Sequence, residues 1–147
     1  MIEAVSEKNL DEVLPLVRAY MEFYHVADID DARNKSFFSQ FGEGSDKGCL
    51  FLYRKEGKAV AFATVYFSYT TSITAKVAVL NDVYTLPDER GQGIAKSLIK
   101  HAADYAKELG AARLQWVTAP DNNQAQAVYD ALGAAKSEWY FYTYLVS

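Results

Sequence analysis

The chain has 147 residues, half of them hydrophobic and 14% aromatic, with 11 tyrosines and a single cysteine, Cys49. That much apolar material fills the core of one domain over residues 1–147 and excludes a disordered chain. A formal net charge of −4 lacks the basic footprint of a nucleic-acid binder, and the lone cysteine excludes an intrachain disulfide and points to a reducing, cytoplasmic setting.

The opening MIEAVSEKNLDEVL is acidic and carries no long apolar run, so neither a secretory leader nor a membrane span is expected there. Residues 2–5 read as a short strand. Ser6 or Asn9 then caps a helix in which Leu10, Val13, Leu14, Val17 and Met21 recur at helical spacing, with Pro15 inside it as a source of a kink. Residues 25–48 are polar, hold Asp28, Asp30 and Asp31, and predict a short second helix and a loop. Residues 50–54 and 58–69 are apolar and β-branched runs joined by Glu56-Gly57, which predicts a β-hairpin. Residues 75–86 predict the next strand, ended by Leu86-Pro87-Asp88.

A helix over 92–109 follows, with Ile94, Leu98, Ile99, Ala102, Ala106 and Leu109 on one face and Gly110 as its stop. Residues 113–118 predict a short buried strand. Pro120-Asp121-Asn122 opens another helix, ended by Gly133, and the aromatic stretch 138–146 predicts a last strand. The order β-α-α-β-β-β-α-β-α-β describes an α/β (α+β) mixed sheet with helices on its faces. A long aromatic strand at the edge of such a sheet needs covering, so a homodimer is expected.

The chemistry-bearing stretch is Arg90-Gly91-Gln92-Gly93-Ile94-Ala95, between a strand and a helix. Its two glycines let backbone approach a ligand closely. The helix start supplies free N–H groups and about half a positive charge, which suits a diphosphate, and Arg90 adds a cation. A glycine turn that merely precedes a helix has the same sequence. The spacing G-x-x-x-x-G-K-[ST] of a P-loop is absent, and G-x-G-x-A after a hairpin does not match the dinucleotide fingerprint.

The R-x-x-G-x-A pattern after a strand ending in x-Pro resembles the acetyl-CoA motif of the GNAT superfamily of N-acetyltransferases. A second block, Asn122 through Ala134, is similar to that family's N-x-x-A-x-x-x-Y-x-x-x-G segment in type and spacing. Residues 114–118 and 139–144 resemble the branch of amine, polyamine and histone-type acetyltransferases.

The resemblance implies a GNAT-like acyl-CoA N-acyltransferase fold, acetyl-CoA as donor, no metal, and transfer of an acetyl group to a primary amine. It implies that Arg90, Gly91, Gln92, Gly93, Ile94 and Ala95 cradle the diphosphate, and that Val83, Tyr84 and Thr85 lend backbone groups to the pantetheine arm. It further implies that Asn122 bonds the cofactor and that Tyr129 protonates the departing thiolate. Read alone, Asn122 is a plain helix cap and Tyr129 a core tyrosine.

An alkyl amine must lose a proton before it attacks a carbonyl. The resemblance implies a carboxylate base on the strand over 75–86; Asn81 occupies one plausible position for it and cannot serve. Asp82 is the candidate, although strand alternation points it away from Asn81 and Val83. His25 is a second candidate, and a water chain a third. Tyr20, Tyr24, Asp28 and Tyr142 are the acceptor-site candidates, since acidic and aromatic groups suit a cationic amine; a solvated loop with a helix cap explains Asp28, Asp30 and Asp31 equally. Polyamine, lysine-like side chain, aminoglycoside and amino acid all remain open as acceptors. A non-catalytic acyl-CoA sensor on the same fold is the alternative to an enzyme.

Overall fold

The computed structural model describes residues 1–147. Residues 1–117 form one compact unit and residues 118–147 a second. The first unit holds β1 (Ile2–Ala4), α1 (Leu10–Phe23), α2 (Asp31–Phe38), β2 (Gly48–Lys55), β3 (Lys58–Thr70), β4 (Ala75–Thr85), α3 (Ile94–Glu108) and β5 (Leu114–Gln115). The second holds α4 (Asn123–Ala131).

The five strands form one sheet in chain order, antiparallel except for the parallel pair β4–β5. The β2–β3 hairpin turns at Glu56 and Gly57, both left-handed at φ 51° and 80°, as a tight two-residue hairpin turn requires. Parallel β4 and β5 need a crossover, and α3 supplies it.

Alternation along β2 and β3 divides the sheet's two faces. Leu50, Leu52 and Phe62 join Val13, Leu16 and Val17 of α1, with Val5, Phe38 and Tyr84, in one buried cluster. Ring contacts mark the other face, where Phe51 meets His101 and Tyr105 of α3 edge-on at 4.8 and 5.2 Å. Helix α1 keeps Pro15 within it; its buried stripe uses Leu16 where the sequence reading used Leu14.

Asp30 caps α2, its carboxylate accepting the Arg33 N–H at 3.0 Å, and Asp31 pairs with Arg18 at 2.8 Å. The acidic run therefore fixes a helix start, as its structural reading required.

In the second unit, the carboxamide oxygen of Asn122 accepts the Ala125 N–H at 3.2 Å and starts α4. The last strand expected over 138–146 does not form: residues 132–147 carry no regular structure. This unit contains no strand to pair with, so the tail's backbone groups find no ladder there. Its Trp139, Phe141, Tyr142 and Tyr144 are exposed. The strand expected over 113–118 shortens to two residues, Leu114 and Gln115. No helix is long and apolar enough to cross a membrane.

Candidate functional site

Strand β4 ends at Thr85, a single helical turn spans Pro87–Glu89, and Arg90 to Gly93 lead into α3. Gly91 and Gly93 are left-handed, at φ 81° and 79°. A Cβ built on either would meet no protein atom within 4 Å, so the space above the turn is open. The first amide past Arg90 that reaches a protein carbonyl is that of Ser97, which donates to Gly93 at 3.0 Å. The N–H groups of Gly91 to Lys96 are left for an outside acceptor. Free donors, a helix start and open room together fit a diphosphate.

Arg90 turns back toward the sheet. Its Nε donates to the Thr85 carbonyl at 3.0 Å, and its guanidinium lies 5.6 Å from the ring centres of both Phe23 and Tyr84. It clamps the turn to the end of β4. Lys55 holds the turn from the other side, donating to Glu89 Oε2 and Gln92 Oε1 at 2.7 Å each. The Lys55 hydrogen bond holds the Glu89 carboxyl below its ordinary range, and Glu89 in turn raises the Lys55 ammonium.

Strand β5 pairs with β4 only at Ala78 and Val79. Beyond them, within residues 1–117, the β5-side edge of β4 has no strand partner. Leu86 N–H donates to Val60 of β3, so alternation directs the amides of Tyr84 and Asp82 to β3 and those of Val83 and Thr85 to the open edge. Val83 thus presents an N–H and a carbonyl to an incoming chain.

The β3–β4 register breaks beside Val83. Thr64 pairs with Asp82, but Val65 pairs with Leu80, so Asn81 is an extra residue. Such a bulge interrupts the in–out alternation and re-aims side chains. Asn81 and Asp82 therefore line the same cavity, which corrects the expectation that they face opposite ways. Asn81 Nδ2 donates to Asp82 Oδ1 at 3.1 Å, and the Tyr66 hydroxyl donates to Asn81 Oδ1 at 3.5 Å.

The cavity has a volume of about 480 Å³. Its inner end is polar, with Thr64, Asp82 and Asn34 all buried. Met21, Ile29, Phe38 and Phe41 supply apolar walls, and Val26, Arg33 and Phe37 stand exposed at its mouth. Among the acceptor candidates, Tyr20 lines it, edge-on to Tyr84 at 5.8 Å. Tyr24, His25 and Asp28 lie outside the lining; Asp28 gives its carbonyl to Arg33 instead, at 2.9 Å. Asn122, Tyr129 and Tyr142 belong to the second unit, with Tyr129 half-buried on α4 and Tyr142 exposed.

Sequence reasoning did not single out Thr64, Arg33 or the wall of Phe38 and Phe41. The phenylalanines at 37 and 38 on α2 and at 41 in the single turn that follows it were the available signal. No cluster of three or more His, Cys, Asp or Glu side chains is placed to hold a metal ion.

The chain matches the Acetyltransferase (GNAT) family over residues 13–134. It is 30% identical over 142 residues to a thialysine N-epsilon-acetyltransferase of Bos taurus, covering 91% of this chain and 83% of that protein. It superposes on the crystal structure of a probable acetyltransferase with a TM-score of 0.86 at 27% identity, covering 100% of this chain and 98% of the other. The fold is shared with AAC(6')-Iy in complex with the bisubstrate analog CoA-S-monomethyl-acetylneamine, at a TM-score of 0.82 and 22% identity over 100% of this chain and 98% of that one.

Proposed function

The chain belongs to the GNAT family of acetyltransferases and is an acetyl-CoA-dependent N-acetyltransferase, and from that premise we propose that its acceptor is a small-molecule primary amine bound in the cavity beside the β4 bulge. The observation that carries this is the placement of the Asp82 carboxylate in that cavity, one residue from the open Val83 edge. Donor and acceptor then meet at the bulge.

Bound acetyl-CoA supplies a thioester carbonyl and a thiolate leaving group. The amides from Gly91 to Lys96 receive its diphosphate, and Lys55 and Arg90 keep their turn in shape. Asp82, oriented by Asn81, takes the proton that a cationic amine must lose before attack. The Val83 N–H is directed to the edge where an oxyanion donor is wanted. Tyr129 is assigned the general-acid role and Asn122 a cofactor contact, on the strength of the N-x-x-A-x-x-x-Y spacing alone.

The family match runs through residues 13–134, which supports reading both compact units as one acetyltransferase domain. The exposed apolar side chains from Trp139 to Val146 support a homodimer in which a second copy covers them. The presence of a single cysteine, Cys49, which is buried as a free thiol, supports a reducing, cytoplasmic setting.

Thiol release from acetyl-CoA over a panel of primary amines tests the acceptor class. Turnover with small amines is expected; activity confined to protein N-termini would overturn it. Light scattering of the full chain and of one ending at Ser137 tests the dimer, which is expected only for the full chain.

A further inference from the structure

The cavity carries one charged side chain of each sign, at different depths. Asp82 is buried at the inner end, and Arg33 is exposed on the first turn of α2 at the mouth. Met21, Ile29, Phe38 and Phe41 give the same cavity apolar walls.

The inner end also holds an orphan. Thr64 is 3% exposed, and its hydroxyl has no hydrogen-bond partner in the protein. It stands opposite Asp82 in the ladder and faces the cavity. Buried hydroxyls are nearly always paired, and an amine entering here donates to Thr64 Oγ1 and to the Asp82 carboxylate together.

At the mouth, Arg33 is the cation of its neighbourhood without a carboxylate. Arg18 is paired with Asp31 at 2.8 Å and Lys35 with Asp11 at 3.0 Å. Arg33 spends one nitrogen on the Asp28 carbonyl, which anchors it and leaves the rest of its fork for a planar anion.

We propose that the acceptor is an amine that also bears a carboxylate, the two joined by a hydrocarbon spacer. The amine sits between Thr64 and Asp82, and the carboxylate meets Arg33. This rests on the reading of the cavity as the acceptor site. A polycation is disfavoured, because its second charge meets Arg33 and one carboxylate serves the whole cavity. An α-amine is disfavoured too, because its carboxylate, on the same carbon, is held at the inner end against Asp82.

The test compares kcat/KM for 6-aminohexanoate, for pentylamine, which is the same chain without the carboxylate, and for 1,5-diaminopentane. The wild type is expected to favour 6-aminohexanoate over pentylamine by about two- to fivefold, the scale of a solvent-exposed charge pair. In Arg33→Leu that ratio falls toward one, mainly through KM, and Arg33→Lys restores part of it. Equal use of the first two probes, preference for the diamine, or an unchanged ratio in Arg33→Leu overturns the proposal while leaving the cavity an acceptor site. Benzylamine is the control for that site: if neither it nor any probe releases thiol while CoA still binds, the reading of the cavity falls as well.

Discussion

Thr64 on β3 and Asp82 on β4 stand directly opposite each other, and the ladder slips by one residue at the very next pair, Val65 with Leu80. The placement of Asn81 beside Asp82 in one cavity follows from that slip. In an unbroken ladder, strict alternation would leave Asn81 and Asp82 on opposite faces.

Asp82→Asn keeps the shape of the side chain and an oxygen for the Asn81 amide, so the fold should survive. It removes the proton acceptor. A fall in kcat/KM of about 10²–10⁴ is expected, the usual worth of a general base, with CoA affinity retained. Steady-state kinetics and a CoA titration check this. Wild-type turnover in the variant would remove Asp82 from the chemistry.

Thr64→Val separates a functional hydroxyl from a structural one by opposite signs. The buried hydroxyl has no protein partner, so replacing it with a methyl should leave the melting temperature level or raise it. The acceptor KM should rise, because the amine loses an acceptor. A variant that is both less stable and kinetically normal would make Thr64 a packing residue.

Tyr129→Phe removes one hydroxyl from α4. If that hydroxyl protonates the departing thiolate, turnover falls by about 10² or more and CoA still binds. Single-turnover rates and CoA calorimetry read the two quantities apart. Unchanged turnover would leave Tyr129 a packing tyrosine.

Gly93→Ala introduces two effects that a matched variant can divide. Gly93 and Gly110 flank α3, both left-handed at φ 79° and 84°, and both with open space where a Cβ would go. Each substitution should cost about 1–2 kcal/mol through the same backbone strain. Only Gly93 lies among the open amides, so only Gly93→Ala should weaken CoA binding as well. Thermal melts and CoA titrations of the pair decide it. Equal CoA affinity in both would remove the phosphate from this turn.

Much of this architecture was legible in the chain. The apolar run at 50–54, the β-branched and aromatic run at 58–69 and the Glu56-Gly57 turn gave the hairpin, because strand composition and two left-handed residues are local properties. The stripe from Ile94 to Ala106 gave α3, and Gly91 and Gly93 gave the left-handed turn before it, for the same reason. The bulge was not legible. One inserted residue leaves local alternation looking intact, and only pairing with β3 reveals that Asn81 is extra. Arg33 and Thr64 were missed because their meaning comes from what lies across the cavity. The aromatic tail was read as a strand by composition, but a strand needs a partner, and its own unit has none.

Lys55 ties the Arg90–Gly93 turn to β2 through Glu89 and Gln92, which makes Lys55→Met a test of how far that tether shapes the CoA site proposed there. The pair is solvent-facing, so a modest loss of CoA affinity, about two- to fivefold, is expected. Its pH dependence has a definite sign. Glu89 lies below its ordinary 4.5, so its contribution is whole above that pH and is lost as pH falls through the lowered value. Lys55 lies above its ordinary 10.5, so its contribution is whole below that pH and is lost as pH rises through the raised value. The ratio of wild-type to variant affinity should therefore stay level from about pH 5 to 10 and shrink toward one at lower pH. Comparing the two proteins at each pH cancels the titration of the ligand's own phosphates. Calorimetric titration with CoA measures the ratio, and a change near neutrality would show that some other group, not the Lys55–Glu89 pair, holds the turn in place.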